Sequence, residues 1–244
     1  MEDTSSSQCQ KLKLSDLADF YDRMYANEGM KAMRTLEHYQ EMFAFIQPVR
    51  KGGKLLDIGC GTGYFLKTAS EAGLDSYGID ISQVSVDLSK KTAPLAHVAC
   101  SPGEHLQFES KSFDYIFFGG TLEHFLDPDK GLEEAYRVAK DDAEFLIVVP
   151  NKNYWLWRVR GEHGTNQREV QELLQNYDSW VGMFKRHGIV PVGVTHDPWP
   201  WKSVKIFKKK NPWNIARRII YRFIWLFIPL RHTYQFVFVC KKIA

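Results

Sequence analysis

Apolar and polar positions follow two rhythms along the middle of this chain. Short apolar runs at 54–58, 76–80, 96–99, 113–118 and 144–150 are long enough for buried strands and too short for helices. Between them, 62–72, 83–91 and 128–139 carry apolar residues at helical spacing, and Asp127-Pro128 is a helix start, a capping acid followed by proline in the first turn. Strands alternating with helices predict a doubly wound α/β domain, a mostly parallel sheet with helices on both faces. Farther on, 165–187 reads as helical up to Gly188, and 189–194 and 234–239 read as two last strands, making seven. Ahead of the sheet, Asp16–Glu28 and Met33–Ile46 repeat the helical pattern and predict a cap over one end of it. The organisation expected is a polar, disordered 1–13, a helical cap over 14–47, and the α/β domain over 48–244 with an insertion at 197–232.

The first strand carries the chemistry. Leu55-Leu56-Asp57-Ile58 ends in an acid and opens into Gly59, Gly61 and Gly63 at alternate positions, followed by a helix start at Tyr64. That sequence of strand, tight turn and helix N-terminus lets backbone approach a small ligand closely. The next strand ends in Asp80, at a separation that suits an acid gripping a ribose. A dinucleotide loop of the Gly-x-Gly-x-x-Gly type would need glycine at 64, where Tyr stands, and the turn has no phosphate-binding Lys-Ser/Thr pair. A pyrophosphate ligand is therefore disfavoured.

With 77–82 (Tyr-Gly-Ile-Asp-Ile-Ser), 113–118 (Phe-Asp-Tyr-Ile-Phe-Phe), 122–128 and 145–151 in the same order, the chain resembles the class I S-adenosylmethionine-dependent methyltransferases over about 40–197. The resemblance implies a Rossmann-like sheet whose last strand is antiparallel, and S-adenosyl-L-methionine as cofactor. It implies that Gly59, Gly61 and Gly63 admit the methionine and ribose portions, that Asp57 orders the loop and meets the ligand's amino end, and that Asp80 binds both ribose hydroxyls. Ile81 would pack on adenine, with Gly119 and Gly120 beneath the methionine. The acid that many relatives carry after the third strand falls on Pro102, which leaves adenine to the backbone of Gly103 or to Ser101. Glu123-His124 follows the fourth strand at the ligand-binding edge, where His124 would act as a general base with its neighbour, or the pair would hold the loop or contact the substrate. The quinone-biosynthesis O-methyltransferases carry Glu-x-x-Glu-His there as a cation site. The first Glu falls on Gly120, so no bound metal is expected. His163, preceded by Glu162, would lie on a substrate loop or be a surface histidine, and Tyr21 and Tyr25 would either close over the cofactor or pack in the core.

Composition adds an asymmetry. Four scattered cysteines have no metal-ligand spacing, and the N-terminus lacks an apolar leader-like run, which together predict a cytoplasmic protein. The net charge is +3, yet everything after Asp197 carries eleven Lys or Arg and no acid, against 21 basic and 29 acidic residues before it. Such a run suits an anionic partner. A helix over 211–228, with Arg217, Arg218 and Arg222 beside a broad apolar face, would serve as a lid or lie on an anionic membrane surface. The apolar stretch from Ile219 to Leu230 is interrupted by Arg222 and Pro229 and falls short of the roughly 20 residues of a membrane span. The leading expectation is O-methylation of a small molecule, lipid- or phosphate-linked. Two alternatives stand beside it: an RNA methyltransferase using the basic, Trp-rich tail, and a cofactor-binding regulatory protein without catalysis.

Overall fold

The computed structural model describes residues 13–160, 170, 172–197 and 228–243, with the side chains of 158–160 excepted. Expectations for 1–12, for Glu162-His163 and for most of the 211–228 helix lie outside the described residues.

The cap comprises α1 (Leu14–Glu28), a 3-10 turn (Gly29–Ala32) and α2 (Leu36–Phe43). The domain then runs β1 (Lys54–Ile58), α3 (Tyr64–Glu71), β2 (Asp75–Asp80), α4 (Gln83–Thr92), β3 (His97–Cys100) and β4 (Phe113–Gly119). A 3-10 turn (Leu122–His124) leads to α5 (Pro128–Val138), β5 (Ala139–Pro150), α6 (Trp155–Arg160), α7 (Tyr177–Arg186), β6 (Ile189–His196) and β7 (Gln235–Lys242). The seven strands are ordered β3-β2-β1-β4-β5-β7-β6, and β7 runs antiparallel to both its neighbours. The strand order reverses between β1 and β4, which opens a crevice at their carboxyl ends where such sheets bind ligands.

Both faces of the sheet are buried, as continuous apolar strands require. On one face Leu132, Ala135, Trp180 and Phe184 cover Leu56, Ile116, Phe118 and Phe145. On the other, Met42, Phe43, Phe65 and Leu66 cover Leu55, Phe117 and Leu146, with Phe65 stacked on Phe117 at 3.7 Å. The caps match their sequence signals. Asp127 accepts from the Lys130 N–H at 3.1 Å ahead of Pro128, and Ser82 accepts from the Ser85 N–H at 3.1 Å.

Two elements differ from the sequence pattern. β5 begins at Ala139, five residues before the apolar run, because Ala139 pairs with Phe113 and the polar Lys140-Asp141-Asp142 are accommodated in a register shift. Of the helix expected over 165–187, the described residues 172–176 are not helical, and α7 starts at Tyr177, where Asn176 caps it by accepting from the Ser179 N–H at 2.9 Å. The described part of the segment before it is tied down by backbone contacts to other elements instead. The Leu173 N–H donates to the Glu123 carbonyl at 2.7 Å, and the Lys152 N–H donates to the Gln175 carbonyl at 3.0 Å.

Candidate active site

The loop after β1 takes its shape from its glycines. Gly59, Gly61 and Gly63 have φ of 81°, 54° and 81°, the left-handed region that side chains disfavour. Only Gly59 of the three lines the crevice, where a Cβ would come within 2.2 Å of the Thr121 side chain. Gly61 lies under the cap, 2.8 Å from Met33 Cε when a Cβ is added, and Gly63 packs against Ser89 of α4. The close approach expected for a ligand at Gly61 and Gly63 is thus made by protein.

The loop-ordering expected of Asp57 is made by Asp80. Asp80, not Asp57, orders the loop: its Oδ2 accepts from the Gly61 N–H at 2.9 Å and its Oδ1 from the Ser82 N–H at 2.9 Å. Burial raises its pKa against the lowering effect of those two bonds. Asp57 is 1 % exposed, and its Oδ1 is buried with no hydrogen-bond partner. Burial first, and Asp80 second, push its carboxyl well above the usual carboxylate range. Asp57 is not among the residues that line either cavity.

The crevice between β1 and β4 is lined by Ile58, Gly59, Asp80, Ile81, Ser101, Pro102, Gly103, Glu104, Gly119, Gly120, Thr121, His124 and Phe125. Tyr21, Met24, Tyr25 and Met33 of the cap project into it, and its solvent-sized volume is about 80 Å³. The Tyr25 hydroxyl donates to Met33 Sδ at 3.4 Å. Glu104 is a buried acid that sequence alignment by pattern passed over for Pro102. It is 5 % exposed, and its Oε1 accepts from the Leu126 N–H at 3.1 Å.

A second cavity, of about 620 Å³, adjoins the first and shares Gly119, Gly120, His124, Met24 and Met33 with it. Glu123 faces this one and not the crevice. Arg23, Lys31 and Arg34 of the cap also line it, with Glu28, Tyr234 and Gln235. Arg34 is anchored, pairing with the buried Asp197 at 2.8 Å and donating to Gln235 Oε1. No local sequence pattern marks Arg23 or Lys31 as cavity residues, because the cap is remote from the glycine loop in sequence.

Glu123 and His124 sit in the 3-10 turn after β4, both buried, at 1 % and 6 % exposure. The Tyr21 ring lies edge-on to His124 at 6.3 Å. Burial, reinforced by the neighbouring Glu172, pushes the Glu123 carboxyl up to about 8. Position 120 is glycine, and a Cβ there would face Glu123 Oε1 at 3.6 Å. A further carboxylate, from elsewhere in the chain, stands near this pair. Glu172 brings one carboxylate oxygen to within 4.8 Å of donor atoms on Glu123 and His124. It fell in a stretch read as helix, so nothing in the local pattern pointed to it. No helix among the described residues is long and apolar enough to cross a membrane.

Comparison with known proteins agrees with this architecture. Residues 56–147 match the model of a methyltransferase domain. An uncharacterized protein of Methanocaldococcus jannaschii is 34% identical over 161 residues, 65% of this chain and 59% of that protein. A ubiquinone biosynthesis O-methyltransferase of Coxiella burnetii is 26% identical over 155 residues, 61% of this chain and 65% of that one. The chain thus spans less than two thirds of these curated relatives. Among solved structures, a complex of the Haloferax volcanii Trm112 methyltransferase activator with a methyltransferase superposes with a TM-score of 0.64 at 18% identity, covering 95% of this chain and 97% of that one. At that identity the match speaks for the fold alone. The glycine loop, the acids closing β1 and β2, the reversed strand order and the antiparallel β7 together make the Rossmann-like methyltransferase fold, and within it residues 56–147 are similar to a methyltransferase domain.

Proposed function

We propose that this protein transfers a methyl group from S-adenosylmethionine to a hydroxyl oxygen of an anionic small molecule. The observation that carries the reading is the junction of the two cavities: Gly119, Gly120 and His124 border both. A donor in the crevice and an acceptor in the larger cavity would meet there, as an in-line displacement needs. When bound, the cofactor supplies an electrophilic methyl on a sulfonium. Everything else falls to the chain. Asp80 has used one lone pair on each oxygen for the loop and keeps the others for two ribose hydroxyls. Glu104 and the Gly103 backbone lie on the wall that suits adenine.

The acceptor's charge is read from Arg23, Lys31 and Arg34 among the residues that line the larger cavity. These favour a phosphate- or carboxylate-bearing molecule, lipid-linked or free. His124 borders both cavities, and an imidazole there suits removal of the hydroxyl proton. His124→Ala should lower kcat by ~10²-fold or more while cofactor affinity changes little. The test supplies labelled S-adenosylmethionine to cell extracts and separates RNA, lipid and small-molecule fractions. Label is expected in products retained by an anion exchanger. Label confined to RNA or to uncharged products overturns the reading, as does a fully active His124→Ala variant.

A further inference from the structure

One stripe of α1 covers the crevice. Leu17, Tyr21, Met24 and Tyr25, spaced as neighbours on one helix face, all line it. The helix is tied down beside that stripe. Asp22 Oδ1 accepts from the Ser82 hydroxyl at 2.5 Å and from the Val84 N–H at 3.2 Å, where α4 begins. Tyr25 lies over the glycine loop, since a Cβ on Gly61 would stand 3.1 Å from its hydroxyl oxygen. The Tyr21 ring is 6.4 Å from that of Tyr25 and 6.3 Å from that of His124. Tyr21 therefore stands between the loop and the junction of the two cavities.

We infer that the Tyr21 ring, with Tyr25 beside it, is a cation-binding face for the sulfonium of the methyl donor. Through it the crevice distinguishes that charged ligand from the neutral thioether left after transfer. The inference rests on the methyl-transfer reading, which puts the ribose at Asp80 and the reacting methyl at the junction. Sulfur is bonded to both the ribose carbon and the methyl, so it falls between Asp80 and His124, where Tyr21 lines the wall. A cation brought there loses its water and needs a partner in the protein. The Asp80 oxygens are already engaged by the loop N–H groups and, on this reading, by the ribose. An aromatic face is negative through its quadrupole and attracts a cation within about 6 Å of its centre. Burial first, then the charges of Glu123, Asp80 and Glu172, hold the Tyr21 hydroxyl above its usual range, so the ring stays a neutral phenol. A leucine would pack in the same space but has no such quadrupole.

The contact also bears on turnover. When the acceptor oxygen bonds to the methyl, the electron pair of the broken C–S bond stays on sulfur and the hydroxyl proton passes to His124. The attraction to Tyr21 ends with the positive charge, which favours exchange of the neutral product for fresh donor.

The test measures Kd for S-adenosylmethionine and for S-adenosylhomocysteine by calorimetry on the full-length protein, without acceptor, and takes their ratio. Tyr21→Leu should shift the ratio against S-adenosylmethionine by about fivefold or more, while Tyr21→Phe stays within about twofold of wild type. Phenylalanine and trifluorinated phenylalanine, placed at position 21 by nonsense suppression, share a shape and differ in the charge of the ring face. This pair answers the question if the leucine variant fails to fold, and fluorination should move the ratio in the same direction by about threefold or more. A ratio indifferent to Tyr21→Leu or to fluorination, with both ligands still bound, overturns this inference alone. Wild-type protein that binds neither ligand overturns the transferase reading, and this inference with it.

Discussion

Replacing Asp80 by Asn separates two roles that the carboxylate combines. An ionised carboxylate offers about four lone-pair sites, and two are spent here on the Gly61 and Ser82 N–H groups, each at 2.9 Å. Asparagine keeps one oxygen and turns an NH₂ toward the other backbone donor. One N–H is then left without an acceptor in a site only 6 % exposed, a cost of ~1–3 kcal/mol. Against this, the substitution removes a buried charge whose desolvation is the largest influence on Asp80. The opposing effects should hold the net loss of fold stability to about 1 kcal/mol. The ligand has no such compensation. Loss of one charge-assisted bond to a ribose hydroxyl is worth ~1.5–3 kcal/mol, which at 1.4 kcal/mol per decade means about a 10- to 150-fold weaker Kd. Calorimetric titration with S-adenosylmethionine, beside urea denaturation of the free protein, reads both quantities. Affinity within about threefold of wild type would refute the ribose assignment. So would tighter binding of NAD than of S-adenosylmethionine by the unmodified protein.

Two further substitutions probe the loop. The Asp57 carboxyl lies well above the usual range in the folded protein, so its protonated form stabilises the fold at acid pH and that contribution is lost as pH rises through the folded pKa. Asp57→Asn should therefore match wild-type Tm near pH ~4 and exceed it increasingly toward pH ~8 without ligand; equal Tm at both pH values would contradict this. Gly63→Ala places a Cβ within 2.4 Å of Ser89 Oγ and 3.0 Å of Ser89 Cα, at a φ of 81°. The strain and overlap together should cost ~2–4 kcal/mol in urea denaturation, and a loss below about 1 kcal/mol would show that the loop adapts.

The linear sequence was sufficient for what local rules govern. Apolar runs of strand length can only be buried between two layers, so seven strands, the flanking helices and the glycine loop between β1 and α3 were legible from spacing. Asp127-Pro128 located a helix start because capping is a contact between near neighbours. Spacing also brought out Asp57, Asp80 and Glu123-His124, since all of them lie at or just past the carboxyl ends of neighbouring strands, where parallel sheets bind ligands. Contacts between segments distant in sequence were decided only by the tertiary structure. Asp80 became the loop's anchor because β2 lies beside β1 and presents its carboxylate to the Gly61 N–H. Gly61 and Gly63 are covered by the cap and by α4, which no pattern at 59–63 could reveal. The start of α7 was set by Asn176 and by backbone bonds to residues 123 and 152, which overrode a helical periodicity. Those same bonds carry Glu172 to Glu123 and His124, some fifty positions away in sequence. Local pattern fixes which face of an element is buried; the packing of elements decides which side chains meet, and a site built across several of them exists only once they have docked.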